Sequence, residues 1–180
     1  RGYEDISLFE IGPTFYGKNP GEQQIVIGAL KSGRVGRKSW IEKDRDIDVF
    51  DIKSDVIKSL IELGVPQQHL FVSDKTSSCY HPGRSGSITL KSEKGPHLAY
   101  FGEIHPGIIK KLDFKEPNIY GLEIFLKNFP EPNKKIRQTK KSFKASDFQK
   151  SDRDFAFVID QIFKIGLLEK IIREIDTSII

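Results

Sequence analysis

Short apolar stretches that end at glycine or proline recur through the first 130 of the 180 residues. Residues 8–15 form one such stretch, interrupted by Gly12 and Pro13, and residues 24–30 form a second. Apolar segments of this length, bounded by turn residues, are typical of β-strands. The pattern therefore favours an α+β fold with a largely antiparallel sheet flanked by helices over a repeating strand–helix–strand arrangement.

One segment of this region has clear helical spacing. Ile52, Val56 and Leu60 recur on one side of a helix predicted over residues 51–63, and Gly64 follows as a stop signal. The remaining elements are shorter. We predict strands over residues 69–72, 87–90, 98–104 and 119–126, a short helix over 106–112 and a loop over 33–46.

Breaker residues at 130–133 mark a boundary in the chain. We predict a first domain over residues 1–130, a linker over 131–145 and a second domain over 146–180. Within the second domain, residues 153–160 predict a strand.

An amphipathic helix is predicted over residues 167–175. One strand and one helix cannot bury both of their apolar faces. We therefore expect a truncated domain, in which the apolar face of this helix is uncovered or packs on another surface.

Composition excludes several classes of protein. No apolar run approaches the roughly 18–20 residues of a transmembrane helix, and 13 Phe residues exclude a disordered chain. A single Cys excludes a disulfide framework and fits a cytoplasmic protein. The absence of Met predicts a piece of a longer protein.

A run of basic side chains lies in the linker, with no acidic residue between Glu131 and Asp147. Lysine neutralises phosphate charge without reading base sequence, so the run is a candidate RNA contact. A solvated linker is the alternative interpretation. The six side chains are Lys134, Lys135, Arg137, Lys140, Lys141 and Lys144.

Two kinds of chemistry are conceivable around the single thiol. Cys79 with His81 or His105 could act as a nucleophile and base, and the same residues with His97 could hold zinc. No third group that would orient an imidazole is evident, and the spacing matches no recognised zinc pattern. A structural role for these residues is therefore favoured.

The segment at 81–86, HPGRSG, offers two glycines and an arginine that could bind a phosphate, or it is a tight structural connection. Carboxylates also occur within apolar strands, at Glu10, Glu103 and Glu123. An inward carboxylate needs a partner, and Arg84 or a histidine is a suitable one.

Four short motifs occur in a particular order: LFEIG at 8–12, HPGRS at 81–85, FGEIHP at 101–106 and RDFAFV at 153–158. Together they resemble the C-terminal region of the bacterial phenylalanyl-tRNA synthetase beta chain, over essentially the whole sequence. The resemblance implies a partial, degenerate class II synthetase-like core, followed by the first strand and helix of a ferredoxin-like domain that binds the tRNA anticodon region.

The resemblance further implies that catalysis belongs to an alpha chain, in an (αβ)2 heterotetramer that uses ATP and Mg²⁺ to charge tRNA(Phe). This chain would hold no cofactor or metal and no catalytic residue. Class II sites clamp ATP with arginines, and none lies within residues 8–15 or 121–123. The resemblance gives a structural role to His81, Gly83, Arg84, Glu103 and His105.

Two alternatives to a synthetase fragment remain from the residues alone. One is a stand-alone RNA-binding module that uses the basic run. The other is a thiol-dependent acyltransferase or hydrolase that uses Cys79.

Overall fold

The computed structural model describes residues 5–36, 40, 45–114, 118–131, 149, 151–163 and 165–175. The chain divides into two compact units, Arg1–Pro132 and Asn133–Ile180. The predicted basic run falls in the second unit and lies outside the described residues.

A six-stranded antiparallel sheet forms the first unit, in the order β1-β2-β6-β5-β4-β3. The α+β prediction is therefore confirmed, with β1 and β3 at the two edges. The strands are β1 (Ile6–Phe15), β2 (Gln23–Ser32), β3 (Leu70–Ser73), β4 (Tyr80–Leu90), β5 (His97–Ile104) and β6 (Ile119–Phe125).

The described part of the chain contains three α-helices: α1 (Val49–Glu62), α2 (Pro106–Lys111) and α3 (Ile165–Ile175). A capping box begins α1, in which the Asp48 side chain accepts from the Asp51 amide at 3.1 Å and the Asp51 side chain accepts from the Asp48 amide at 2.9 Å. These bonds satisfy amides that would otherwise lack partners at the start of the helix. None of the described helices combines the length and the apolar character needed to span a bilayer.

The core lies between α1 and one face of the sheet. Ile52, Val56 and Leu60 are fully buried, as their helical spacing predicts. Side chains of directly opposed residues point to the same face of an antiparallel sheet, so the strand registers identify the facing set. It comprises Ile88, Ala99, Phe101, Leu122 and Ile124, which belong to the same buried cluster.

The opposite face of the sheet lies away from α1 and is called the open face below, because it is exposed along β1, although it is buried at Ser87 on β4. Registers place Glu10, Gly28, Glu123, Tyr100 and Ser87 in one row across five strands of this face. Strands alternate their side chains between faces, so residues two positions away along each strand share the open face.

One predicted strand is wrong. Residues 151–160 have no regular secondary structure, and every one of them is exposed. A strand needs a hydrogen-bonded neighbour, and none of the described residues pairs with this segment. The predicted helix does form, as α3, and its apolar Leu167, Ile171 and Ile175 are exposed as expected.

The charge network at the start of α1 predicts a dependence of stability on pH. The Arg45 guanidinium donates to both Asp51 oxygens at 2.7 Å and lowers the pKa of that carboxyl to about 2. Because the unfolded value is about 3.9, this stabilisation is complete above pH 5 and is lost as the pH falls towards 2. The urea midpoint should therefore fall more between pH 5 and pH 2.5 for the native chain than for Asp51→Asn. Equal falls in the two chains would contradict a stabilising role for the Arg45–Asp51 pair.

Candidate functional site on the open face of the sheet

The HPGRSG segment forms a bulge within β4. Tyr80 pairs with Ile104 and Ser85 with Gly102, so four residues of β4 loop out opposite a single residue of β5. The bulge is closed locally, because the Gly83 amide donates to His81 Nδ1 at 3.0 Å and the Ser85 hydroxyl donates to the His81 carbonyl. Sequence reasoning missed the first half of β4 because proline and glycines are weak strand formers.

Arg84 leaves this bulge and pairs with Glu103 on β5. The guanidinium donates through Nε to one carboxylate oxygen and through Nη2 to the other, the latter at 2.8 Å. Glu103 is buried, whereas about half of the Arg84 side chain is exposed. This is the kind of partner that the sequence predicts for an inward carboxylate. Because the Glu103 carboxylate neutralises its charge and accepts from two of its five N–H donors, Arg84 is a poor phosphate ligand, and its observed contacts are structural.

The two imidazoles near the thiol accept hydrogen bonds from backbone amides. His105 caps α2, accepting from the Gly107 amide at Nδ1 over 3.1 Å, and His81 Nδ1 is occupied within its bulge. Cys79 Sγ instead lies 3.2 Å from Ser77 Oγ. Among the described residues no hydrogen bond joins the thiol to an imidazole, and no group of three or more acidic, His or Cys side chains is placed to hold a metal ion.

The open face carries a different arrangement, built around a glycine. Glu10 and Glu123 lie on either side of Gly28, one strand away in each direction. A Cβ added to Gly28 would meet no atom within 4 Å. Because neighbouring strands lie about 4.8 Å apart, the two glutamates stand about 10 Å apart at their Cα atoms. We call this gap, with Glu10, Gly28 and Glu123 as its members, the glycine gap.

Burial changes the pKa of the Glu123 carboxyl. Desolvation raises the pKa of its carboxyl, and the Tyr80 hydroxyl, 3.5 Å away, opposes that shift by hydrogen bonding. Burial also raises the pKa of Tyr80 and of Tyr100, with the charge on Glu123 adding to both. The Tyr100 ring packs edge-on against Phe125 at 5.4 Å between centroids. The result is an anionic group with aromatic neighbours.

Glu10 departs from the sequence expectation, because its side chain is exposed on the edge strand rather than inward. The glycine gap itself was missed. Its signal in the sequence is slight: a glycine inside an apolar strand indicates a place where no side chain fills the face, but only the register shows that two carboxylates flank it.

Comparison with known proteins places the chain in a sequence family. A family model described as "Phenylalanyl tRNA synthetase beta chain CLM domain" matches residues 1–126. The "Phenylalanine--tRNA ligase beta subunit" of Paramagnetospirillum magneticum is 40% identical over 160 residues, which are 89% of this chain and 20% of that protein.

Other relatives with the same description are similar to the chain to a comparable degree. That of Rhodospirillum rubrum is 41% identical over 160 residues, covering 89% of this chain and 20% of the relative. That of Mesorhizobium japonicum is 35% identical over 186 residues, covering 100% of this chain and 23% of the relative. The chain thus spans about a fifth of the length of the curated relatives that it matches.

Proposed function

Since the chain belongs to the phenylalanyl-tRNA synthetase beta chain family, we propose that it serves as a non-catalytic core of that subunit. In this role it contributes subunit assembly and tRNA binding to the ATP-dependent attachment of phenylalanine to tRNA(Phe). The similarity over residues 1–126 carries the proposal. An alpha chain, in an (αβ)2 heterotetramer in the cytoplasm, would supply the catalytic site together with ATP and Mg²⁺.

The proposed core is of the class II type. Its support is the six-stranded antiparallel sheet with α1 packed on one face. The division of the chain into a core over 1–130, a linker over 131–145 and the start of an anticodon-binding domain over 146–180 forms part of the same proposal.

ATP does not fit the open face of this sheet. A triphosphate needs cationic clamps, whereas β1, β2 and β6 contain no arginine and one lysine, Lys31. The charged groups that flank Gly28 on the open face are the carboxylates of Glu10 and Glu123. These would repel a triphosphate, and the lack of a cationic clamp on β1, β2 and β6, as the structure describes them, supports a non-catalytic role for this core.

The basic run supports a contact with tRNA. Its six cationic side chains would neutralise phosphates of the tRNA backbone, which they can do without reading the base sequence. The acidic open face is unsuited to that purpose. We therefore assign the RNA contact to Lys134, Lys135, Arg137, Lys140, Lys141 and Lys144, and a structural role to His81, Gly83, Arg84, Glu103 and His105.

The experiment is aminoacylation by the full-length subunit assembled with its alpha chain. The native complex should attach phenylalanine to tRNA(Phe). Replacing the six cations with glutamine should raise the KM for tRNA at least tenfold and flatten its salt dependence, because fewer phosphates are neutralised. The kcat and the ATP–pyrophosphate exchange rate should not change, since neither depends on the tRNA backbone contact.

Cys79→Ala is the matched control, and it should leave all of these rates unchanged. A complex that fails to attach phenylalanine would overturn the synthetase assignment. An unchanged KM for tRNA in the six-cation variant would overturn the assignment of the RNA contact alone. Loss of activity in Cys79→Ala would instead favour a thiol-dependent enzyme.

A further inference from the structure

The chain contains one tryptophan, Trp40, and its side chain is 94% exposed. Tryptophan side chains are highly buried on average in folded proteins. On protein surfaces they are enriched among the residues that contribute most of the free energy of binding. The charge and polarity of the residues around Trp40 indicate which class of partner it contacts.

Trp40 lies on a loop whose two ends are hydrogen-bonded to each other, residues 33–47, called the arm below. The Val35 amide donates to the Arg45 carbonyl at 3.0 Å, and the Ile47 amide donates to the Gly33 carbonyl at 2.9 Å. These bonds pair the two ends of the arm in antiparallel fashion directly after β2. The base of the arm is therefore fixed to the sheet.

A cleft of about 250 Å³ opens at the base of the arm, between β2 and α1. Three cationic side chains line it: Lys31 of β2, Arg34 of the arm and Lys58 of α1. The apolar side chains of its described lining are Val35 and Ile47. A water molecule occupies about 30 Å³ in the liquid, so the cleft has room for a phosphate group.

The cations of the cleft are not all paired. Asp51 also lines the cleft, and it accepts from the Arg45 guanidinium at 2.7 Å. Asp55, the other lining carboxylate, pairs with Lys31. Lys58 is exposed and has no anionic partner among the described residues. Its charge is therefore available to an incoming phosphate.

Charge and polarity favour RNA over protein as the partner of this region. Residues 34–45 carry five basic and two acidic side chains, and the lining of the cleft is mostly polar. The core of a protein–protein interface is instead depleted of charged residues, including lysine. Proteins that bind single-stranded nucleic acid combine aromatic side chains, on which bases stack, with cations along the phosphate backbone. The arm and the cleft have this combination.

We propose that the arm and the cleft bind an unpaired segment of tRNA, in which a base stacks on Trp40 and a nearby backbone phosphate is neutralised by Lys58. Trp40 is four residues beyond Gly36, which also lines the cleft, so at most about 14 Å of chain separates the two. Nucleotides close together in one strand can therefore occupy both places. This proposal rests on the proposed function, and it adds a contact in the first unit to the RNA contact assigned to the basic run.

Replacement of Trp40 tests the stacking in the full-length subunit assembled with its alpha chain. Trp40→Ala should raise the Kd for tRNA(Phe), measured by filter binding, about tenfold, which is the effect of losing one base–aromatic stack. Trp40→Phe keeps an aromatic ring and should bind nearly as tightly as the native complex. Trp40→Leu keeps apolar bulk without a ring and should bind as weakly as Trp40→Ala. Because the side chain is exposed, the melting temperature and the assembly with the alpha chain should not change.

Three results would overturn the stacking. One is native affinity for tRNA in Trp40→Ala. The others are native affinity in Trp40→Leu with weak binding in Trp40→Ala, and loss of assembly with the alpha chain in Trp40→Ala, because each identifies a protein surface as the partner. If the native complex itself does not bind tRNA(Phe), the proposed function fails instead.

The phosphate contact is tested by Lys58→Gln in the same complex. Loss of one phosphate contact on a single strand should reduce the slope of log Kd against log salt concentration by about 0.7. Lys53→Gln is the matched control, since Lys53 is on the same helix but does not line the cleft, and it should keep the native slope. Equal slopes in the two variants would overturn the phosphate contact.

Discussion

Gly102→Ala is expected to destabilise the first unit by more than about 3 kcal/mol. Gly102 has a φ of 148°, which side-chain-bearing residues rarely adopt. An added Cβ would lie 2.5 Å from Ser85 Cα and 2.7 Å from the Arg84 carbonyl oxygen. Backbone strain and overpacking each cost about 1–3 kcal/mol, and here they act together because backbone atoms cannot move aside. Urea denaturation measures the loss.

Gly28→Ala is the matched control on the same face of the sheet. Its Cβ meets no atom within 4 Å and its φ is not in the left-handed region. Alanine restricts the unfolded chain more than glycine does, so stability should be unchanged or rise by about 0.4–1 kcal/mol. A Gly102→Ala chain as stable as Gly28→Ala would show that the β4 bulge does not press against β5 as described.

Leu60→Ala is expected to cost about 2–5 kcal/mol, because Leu60 is fully buried between α1 and the sheet. The adjacent Ile61→Ala is the control, since Ile61 is 38% exposed and should cost no more than about 1 kcal/mol. Chemical denaturation of both variants separates packing from helix propensity, which the two replacements change similarly. Equal losses of stability in the two variants would contradict the assignment of the Leu60 side of α1 to the core.

The sheet and α1 could be predicted because their signals are local. Ile52, Val56 and Leu60 show helical spacing, and turn residues bound most of the strands. The bulge of β4 could not be predicted, since a strand rich in glycine and proline forms only when a neighbour such as β5 supplies its hydrogen bonds. The strand expected at 153–160 failed for the converse reason, because apolar composition without a pairing partner does not make a strand.

The candidate site was less accessible to sequence reasoning than the fold. Arg84 and Glu103 are 19 residues apart. Their pairing could be predicted because a buried carboxylate needs a positively charged partner. Glu10 and Glu123 are more than a hundred positions apart, and they face one another only because β6 pairs with β2. Register between distant strands is a property of the whole sheet, and no local pattern encodes it.

The pairing of β2 with β6 also has a kinetic consequence. Val26 on β2 lies opposite Phe125, about a hundred residues later in the chain. Contacts of such separation form slowly, because a long loop must close before they stabilise anything. During synthesis the hairpin of β1 and β2 must therefore wait, with Val26 and the hydrogen-bonding edge of β2 unprotected, until β6 emerges from the ribosome. This interval is when the chain is most prone to aggregate and most dependent on chaperones.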